Sequence, residues 1–93
     1  MSRLNYHHLY YFWAVAKEGN LTRTAAQLHV SQSALSTQIK QLEDQLGQAL
    51  FTREGRVLQL TEAGRVALTY ADTIFETGNE LTALLRDGQR QER

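Results

Sequence analysis

The stretch Asn20-Leu21-Thr22-Arg23-Thr24-Ala25-Ala26-Gln27-Leu28-His29-Val30-Ser31-Gln32-Ser33-Ala34-Leu35-Ser36-Thr37-Gln38-Ile39-Lys40-Gln41-Leu42 decides the fold. Asn20 is a good cap for a short helix reaching about Leu28, with Leu21, Ala25 and Leu28 on one face. His29-Val30-Ser31 separates it from a second helix, capped by Ser31 and running from Gln32 to Leu46. Leu35, Ile39, Leu42 and Leu46 fall at i, i+4, i+7 and i+11, so all four are expected to be buried, and Gly47 stops the helix. Two helices joined by so short a turn, the second apolar on one edge and polar on the other, form a helix-turn-helix pattern.

Working outward, Leu9, Phe12, Trp13 and Ala16 repeat at the spacing of one buried helix face between about Tyr6 and Lys17, so Trp13 is expected in the core with Leu9 and Phe12, and Glu18-Gly19-Asn20 ends that helix. Of Tyr10 and Tyr11, one is expected to be exposed. Downstream the period changes. Leu50-Phe51-Thr52-Arg53 and Val57-Leu58-Gln59-Leu60 read as two short strands around a turn at Glu54-Gly55-Arg56, a minimal hairpin. Thr61 caps a last helix expected to run to about Arg86, and the polar residues 87–93 read as a frayed tail. The expected fold is therefore mainly α: a winged helix-turn-helix of three helices and a hairpin over residues 1–60, then a long linker helix over 61–86.

The geometry of such a wedge suits duplex DNA, because the second helix of the pair enters the major groove N-terminus first. With Leu35, Ile39 and Leu42 inward, the outward set is Gln32, Ser33, Ser36, Thr37 and Lys40. Glutamine can bond adenine N6 and N7 together, and serine or threonine can serve either partner. Thr22 and Arg23 open the preceding helix, where phosphate contact is expected. Ser31 at the helix N-terminus, Gln38, Lys40 and Arg53 are further expected phosphate contacts. Arg53 and Arg56 flank the hairpin tip, and an arginine on a thin loop can enter a narrow minor groove. Arg53 has an alternative reading as an ion-pair partner of Glu54 or Glu43.

Charge by itself would not point to nucleic acid. Ten basic and ten acidic residues cancel, although the first sixty residues carry six basic against four acidic, and the remainder four against six. The chain has no cysteine, hence no disulfide and no thiolate metal site. His7, His8 and His29 have no metal-ligand spacing, so no metal and no cofactor are expected. There is no glycine-rich phosphate loop and no catalytic pairing of carboxylates, which argues against an enzyme. No apolar run reaches the ~18 residues of a membrane span. A soluble, cytoplasmic protein is expected. A protein-interaction module would show aromatic anchors on its outward helix face, where this chain has amides, hydroxyls and a lysine.

These residues resemble the N-terminal domain of the bacterial LysR-type transcriptional regulators. The likeness is carried by Leu9-Tyr10-Tyr11-Phe12, by Leu21 to Ser36, by Gln38-Ile39-Lys40-Gln41-Leu42-Glu43 with Leu46-Gly47, by Leu50-Phe51-Thr52-Arg53 and by Leu60-Thr61-Glu62-Ala63-Gly64. Asn5 to Trp13 is also similar to the branch of the family that includes the activator of a sodium/proton antiporter gene. The resemblance implies sequence-specific binding to a pseudo-palindromic operator, with Gln32, Ser33 and Ser36 on base edges and Arg56 in the minor groove. It implies a homodimer through the linker helix, with a tetramer open for the full-length regulator, and a C-terminal effector-binding domain without counterpart here. On that basis the chain reads as an excised domain. Two positions depart from the family: Ser33 stands where proline is common, and Thr37 where arginine is common. The second change removes a strong guanine reader.

Dimerisation is expected through Tyr70, Ala71, Ile74, Phe75, Leu81, Leu84 and Leu85, whose stripe is long for so small a domain. Intrachain packing is the competing reading. Asp72, Glu76 and Glu80 are expected on the outer face of this helix.

Overall fold

The first three helices begin and end where their cap residues dictate in the computed structural model, which describes residues 3–55 and 57–91. Helix α1 spans Tyr6–Glu18: Asn5 Oδ1 accepts from the amides of His7 (2.9 Å) and His8 (3.0 Å), and Gly19, at φ 75°, closes the other end. Helix α2 spans Leu21–Leu28, with Asn20 Oδ1 accepting from Arg23 N at 2.8 Å. Helix α3 spans Gln32–Leu46, with Ser31 Oγ accepting from Ala34 N at 3.0 Å. Such caps satisfy amide donors that have no partner in the first turn, and each contributes about 1 kcal/mol. His29 takes the left-handed conformation that turns α2 into α3 (φ 59°), and its amide returns to Ala26 O.

Strand β1 (Phe51–Glu54) pairs antiparallel with β2 (Val57–Leu60), Phe51 opposite Leu60 and Glu54 opposite Val57. The hairpin thus starts one residue later than its sequence suggests, because Leu50 is withdrawn into the core with 1% exposure. Helix α4 spans Glu62–Gln91. Thr61 ties its start to the loop before β1: its hydroxyl donates to Ala49 O (2.6 Å) and accepts from Gly64 N (2.9 Å), while its amide donates to Leu50 O. Gly64 is required by this approach. A Cβ there would overlap the Leu50 carbonyl and press to 2.9 Å on Leu60 Cδ2.

The core gathers Leu9, Tyr11, Phe12 and Val15 of α1, Ala25 of α2, Leu35, Ile39 and Leu42 of α3, Leu50, and Ala71 of α4. Phe12 also meets Phe51 of the hairpin at 5.2 Å between ring centroids. Burying each large side chain contributes about 1.5–3 kcal/mol, so this short roster must hold all six elements together.

Three expectations are corrected. Leu46 lies on the same edge as Leu35 but is exposed, because the body that covers that edge ends one turn earlier. Trp13 is only half-buried, with its indole turned toward α4. The last helix continues past Arg86 to Gln91, since no proline interrupts it; residues 92 and 93 lie outside the described residues. Tyr11 is buried and Tyr10 partly exposed, as the sequence suggested of the pair.

Candidate nucleic-acid interface

Burying Leu35, Ile39 and Leu42 leaves the other edge of α3 to solvent, and Gln32, Ser33, Ser36, Thr37 and Lys40 are all exposed there. The cap at Ser31 also brings its hydroxyl within 3.3 Å of Ser33 Oγ. Ser33 sits in the first turn of α3, where a backbone N–H has no intrahelical acceptor. A proline there would lack that donor; serine keeps it.

Three elements converge on this edge. Thr22 from the start of α2, Gln32 from the start of α3 and Arg53 from β1 line one concavity, together with Val57 and Leu58 of β2. A second cleft, between α3 and the hairpin, is lined by Ser36, Thr52 and Arg53 above the apolar floor of Ile39 and Leu58. On the opposite flank, His8 of α1 shares a hollow with Ser33, Thr37, Gln38 and Gln41. Gln38 is half-buried in that hollow, so only part of its amide is free to meet a ligand. His8 was not singled out by sequence reasoning as part of this face. Its side chain is half-buried, and its Nδ1 is buried without a hydrogen-bond partner.

The cations of the face differ in how free they are. Arg23 pairs with Glu18 at 3.1 Å, and Lys40 with Asp44 at 3.5 Å, both well exposed. Among the described residues no ion pair engages Arg53, and neither Glu54 nor Glu43 holds it. The Glu43 carboxylate is committed elsewhere, accepting from the amides of Leu50 (2.7 Å) and Phe51 (3.2 Å). It thereby fixes the root of the hairpin to α3. Arg56, at the tip, lies outside the described residues.

The seven α4 residues expected at a dimer interface separate into two groups. Ala71 is wholly covered by its own chain, and Ile74 and Phe75 are half-buried against the body. Phe75 stacks on Trp13 (4.9 Å) and meets Tyr10 edge-on (5.6 Å). For Ala71 this corrects the expectation, because its methyl faces the chain's own core. Tyr70, Leu81, Leu84 and Leu85 remain 58–67% exposed. Asp72 is also corrected: it faces α1 and accepts from Trp13 Nε1 (2.7 Å) and Lys17 Nζ (3.1 Å). Glu76 and Glu80 are exposed as expected.

Among the described residues no group of three or more His, Asp or Glu side chains could hold a metal ion. No helix there is long and apolar enough to cross a membrane.

Three helices in this order, a two-stranded wing and a long following helix define a winged helix-turn-helix domain. Residues 6–65 match the family described as bacterial regulatory helix-turn-helix protein, lysR family, and the chain belongs to it. It is 42% identical over 81 residues to the transcriptional activator protein NhaR of Escherichia coli, covering 87% of this chain and 27% of that one. To the HTH-type transcriptional regulator CatR of Pseudomonas putida it is 48% identical over 86 residues, 90% of this chain and 29% of the relative. The chain thus spans between a quarter and a third of the length of these curated relatives. Among solved structures, the BenM DNA-binding domain in complex with the catB site 1 DNA superposes with a TM-score of 0.83 at 31% identity, covering 89% of this chain and 92% of that one. The CbnR DNA-binding domain–DNA complex gives 0.78 at 37% identity, covering 90% and 97%.

Proposed function

We infer that this domain reads duplex DNA for a bacterial LysR-type transcriptional regulator, in the cytoplasm and with no enzymatic step of its own. The observation that carries this reading is the convergence of Thr22, Gln32 and Arg53 from three elements around the N-terminus of α3. A helix N-terminus attracts phosphate, an arginine beside it adds charge, and a glutamine supplies a base-edge fork. The superposing domains solved with DNA are consistent with this assignment.

In this reading α3 lies in the major groove with Gln32, Ser33 and Ser36 on base edges. Thr22, Arg23, Ser31, Gln38, Lys40 and Arg53 meet phosphates, and Arg56 enters the minor groove. Lys40 exchanges its exposed partner Asp44 for a phosphate at little cost, since such surface pairs contribute roughly 0–1 kcal/mol, and Arg23 leaves the half-buried Glu18 in the same way. A homodimer through the exposed part of α4 places two such heads on a pseudo-palindromic operator.

Selection of duplexes from a random pool, followed by fluorescence anisotropy, tests the reading. Gln32→Ala is expected to cost about 1–3 kcal/mol on the selected site and to relax preference at one position. Equal, weak binding of the unaltered chain to every duplex would overturn it.

A further inference from the structure

Helix α4 leaves the body at a defined place. Ala71 is buried and Ile74 and Phe75 are half-buried, but every residue from Glu76 to Asp87 is exposed. At this exit sits the cluster of Trp13, Lys17 and Asp72. The Asp72 carboxylate accepts from the indole at 2.7 Å and from the ammonium at 3.1 Å, joining residues 59 and 55 positions apart in sequence. Trp13 and Phe75 stack beside it at 4.9 Å. An indole N–H facing a helix–helix seam needs an acceptor, and a charged acceptor makes the stronger, more directional bond.

We propose that Asp72 is a positioning residue: clasped by Trp13 and Lys17, it sets the angle between the reading head and α4, and through that angle the half-site separation the dimer accepts. This rests on the reading of α4 as the dimer helix.

The lever is long enough for the angle to matter. Thirteen residues separate Asp72 from Leu85, about 20 Å of helix. A turn of about 10° at the clasp moves the far end about 3.5 Å, close to the rise of one base pair. Apolar contacts slide, whereas a carboxylate held by two donors from one helix face has a single best orientation.

The test is binding to duplexes carrying two copies of the selected half-site at varied separations, for the whole chain and for Asp72→Ala and Asp72→Asn. The unaltered chain is expected to lose roughly 100-fold in affinity when the separation shifts by two base pairs, because simultaneous engagement fails. Asp72→Ala should lose less than about 10-fold over the same shift, with its preference within a half-site unchanged. Asp72→Asn, which keeps an oxygen for the indole but no charge for Lys17, should fall between them. Fluorescence of Trp13, the only tryptophan, reports whether the contact has gone. An Asp72→Ala chain with altered emission but an unaltered separation profile overturns the proposal. If Asp72→Ala loses its helical circular dichroism, Asp72→Asn and Lys17→Met decide on the same profile. If the unaltered chain itself shows no preferred separation, the dimer reading fails with the proposal, and no variant is needed to see it.

Discussion

Glu43 is a residue whose carboxylate and backbone serve different elements. Its carbonyl accepts from Gly47 and Gln48 to finish α3, and its side chain accepts from Leu50 and Phe51 to begin the hairpin. Removing the carboxylate leaves two part-buried amides without an acceptor, and such a deficit costs about 1–3 kcal/mol. Glu43→Ala should therefore lower unfolding stability by that amount in a urea titration, while Glu43→Gln, which keeps one acceptor oxygen, should lose less. Equal losses in both variants would mean that charge, not hydrogen bonding, holds the hairpin root. The consequence reaches the interface, because Arg53 is placed only two residues beyond Phe51 on the same strand. Ser33 acts more locally, keeping in the first turn of α3 a backbone N–H donor that a proline would remove.

At the scale of elements, the boundaries were legible because each rests on a residue with one strong local role. Asn20 and Ser31 cap α2 and α3, Gly47 takes positive φ after Leu46, and Thr61 caps α4. The exposed edge of α3 followed directly from burying Leu35, Ile39 and Leu42. The relation between α1 and α4 was not legible. Asp72 on an amphipathic helix reads as a solvated charge, and its partners lie more than fifty positions away. The stripe on α4 was equally ambiguous, since Ile74 and Phe75 have the same apolar character whether α1 or a second copy covers them. Trp13 held the available clue: its half-buried indole required an acceptor. That contact has a pH signature. The indole N–H, and after it the Lys17 ammonium, hold the Asp72 carboxyl below its ordinary value of 3.8. A depressed carboxyl contributes its stability above its unfolded value and loses it as pH falls through the lower, folded one. Trp13 emission should therefore stay flat from neutrality down to the ordinary carboxylate value and change only below it, ahead of the loss of helical circular dichroism. A midpoint above that value, or the same transition in Asp72→Asn, would contradict the assignment.

The whole molecule measures 56 × 33 × 20 Å, elongated because the distal half of α4 projects from the body. Leu81, Leu84 and Leu85 lie on that projection at 58–62% exposure. Isolated helices shorter than ~12–15 residues are marginal in water, and most helical stability comes from packing an apolar face. In the proposed dimer a second copy of the stripe would supply that packing, and it would also meet the constraint set by charge. A chain with zero formal net charge gains little from long-range attraction to DNA, so useful affinity needs two heads acting together. Leu81→Ser with Leu85→Ser should shift the chain from dimer to monomer in sedimentation. Binding to a duplex with two half-sites should then fall by roughly 10²–10⁴, the factor that linkage of two binding events provides. Binding to a single half-site should be unchanged, because neither leucine touches the reading head. The slope of log affinity against log salt should drop by about half as one set of phosphate contacts is lost. A double variant that still sediments as a dimer would place the interface elsewhere on the chain, with Leu46, Val66 and Tyr70 among the other exposed apolar residues.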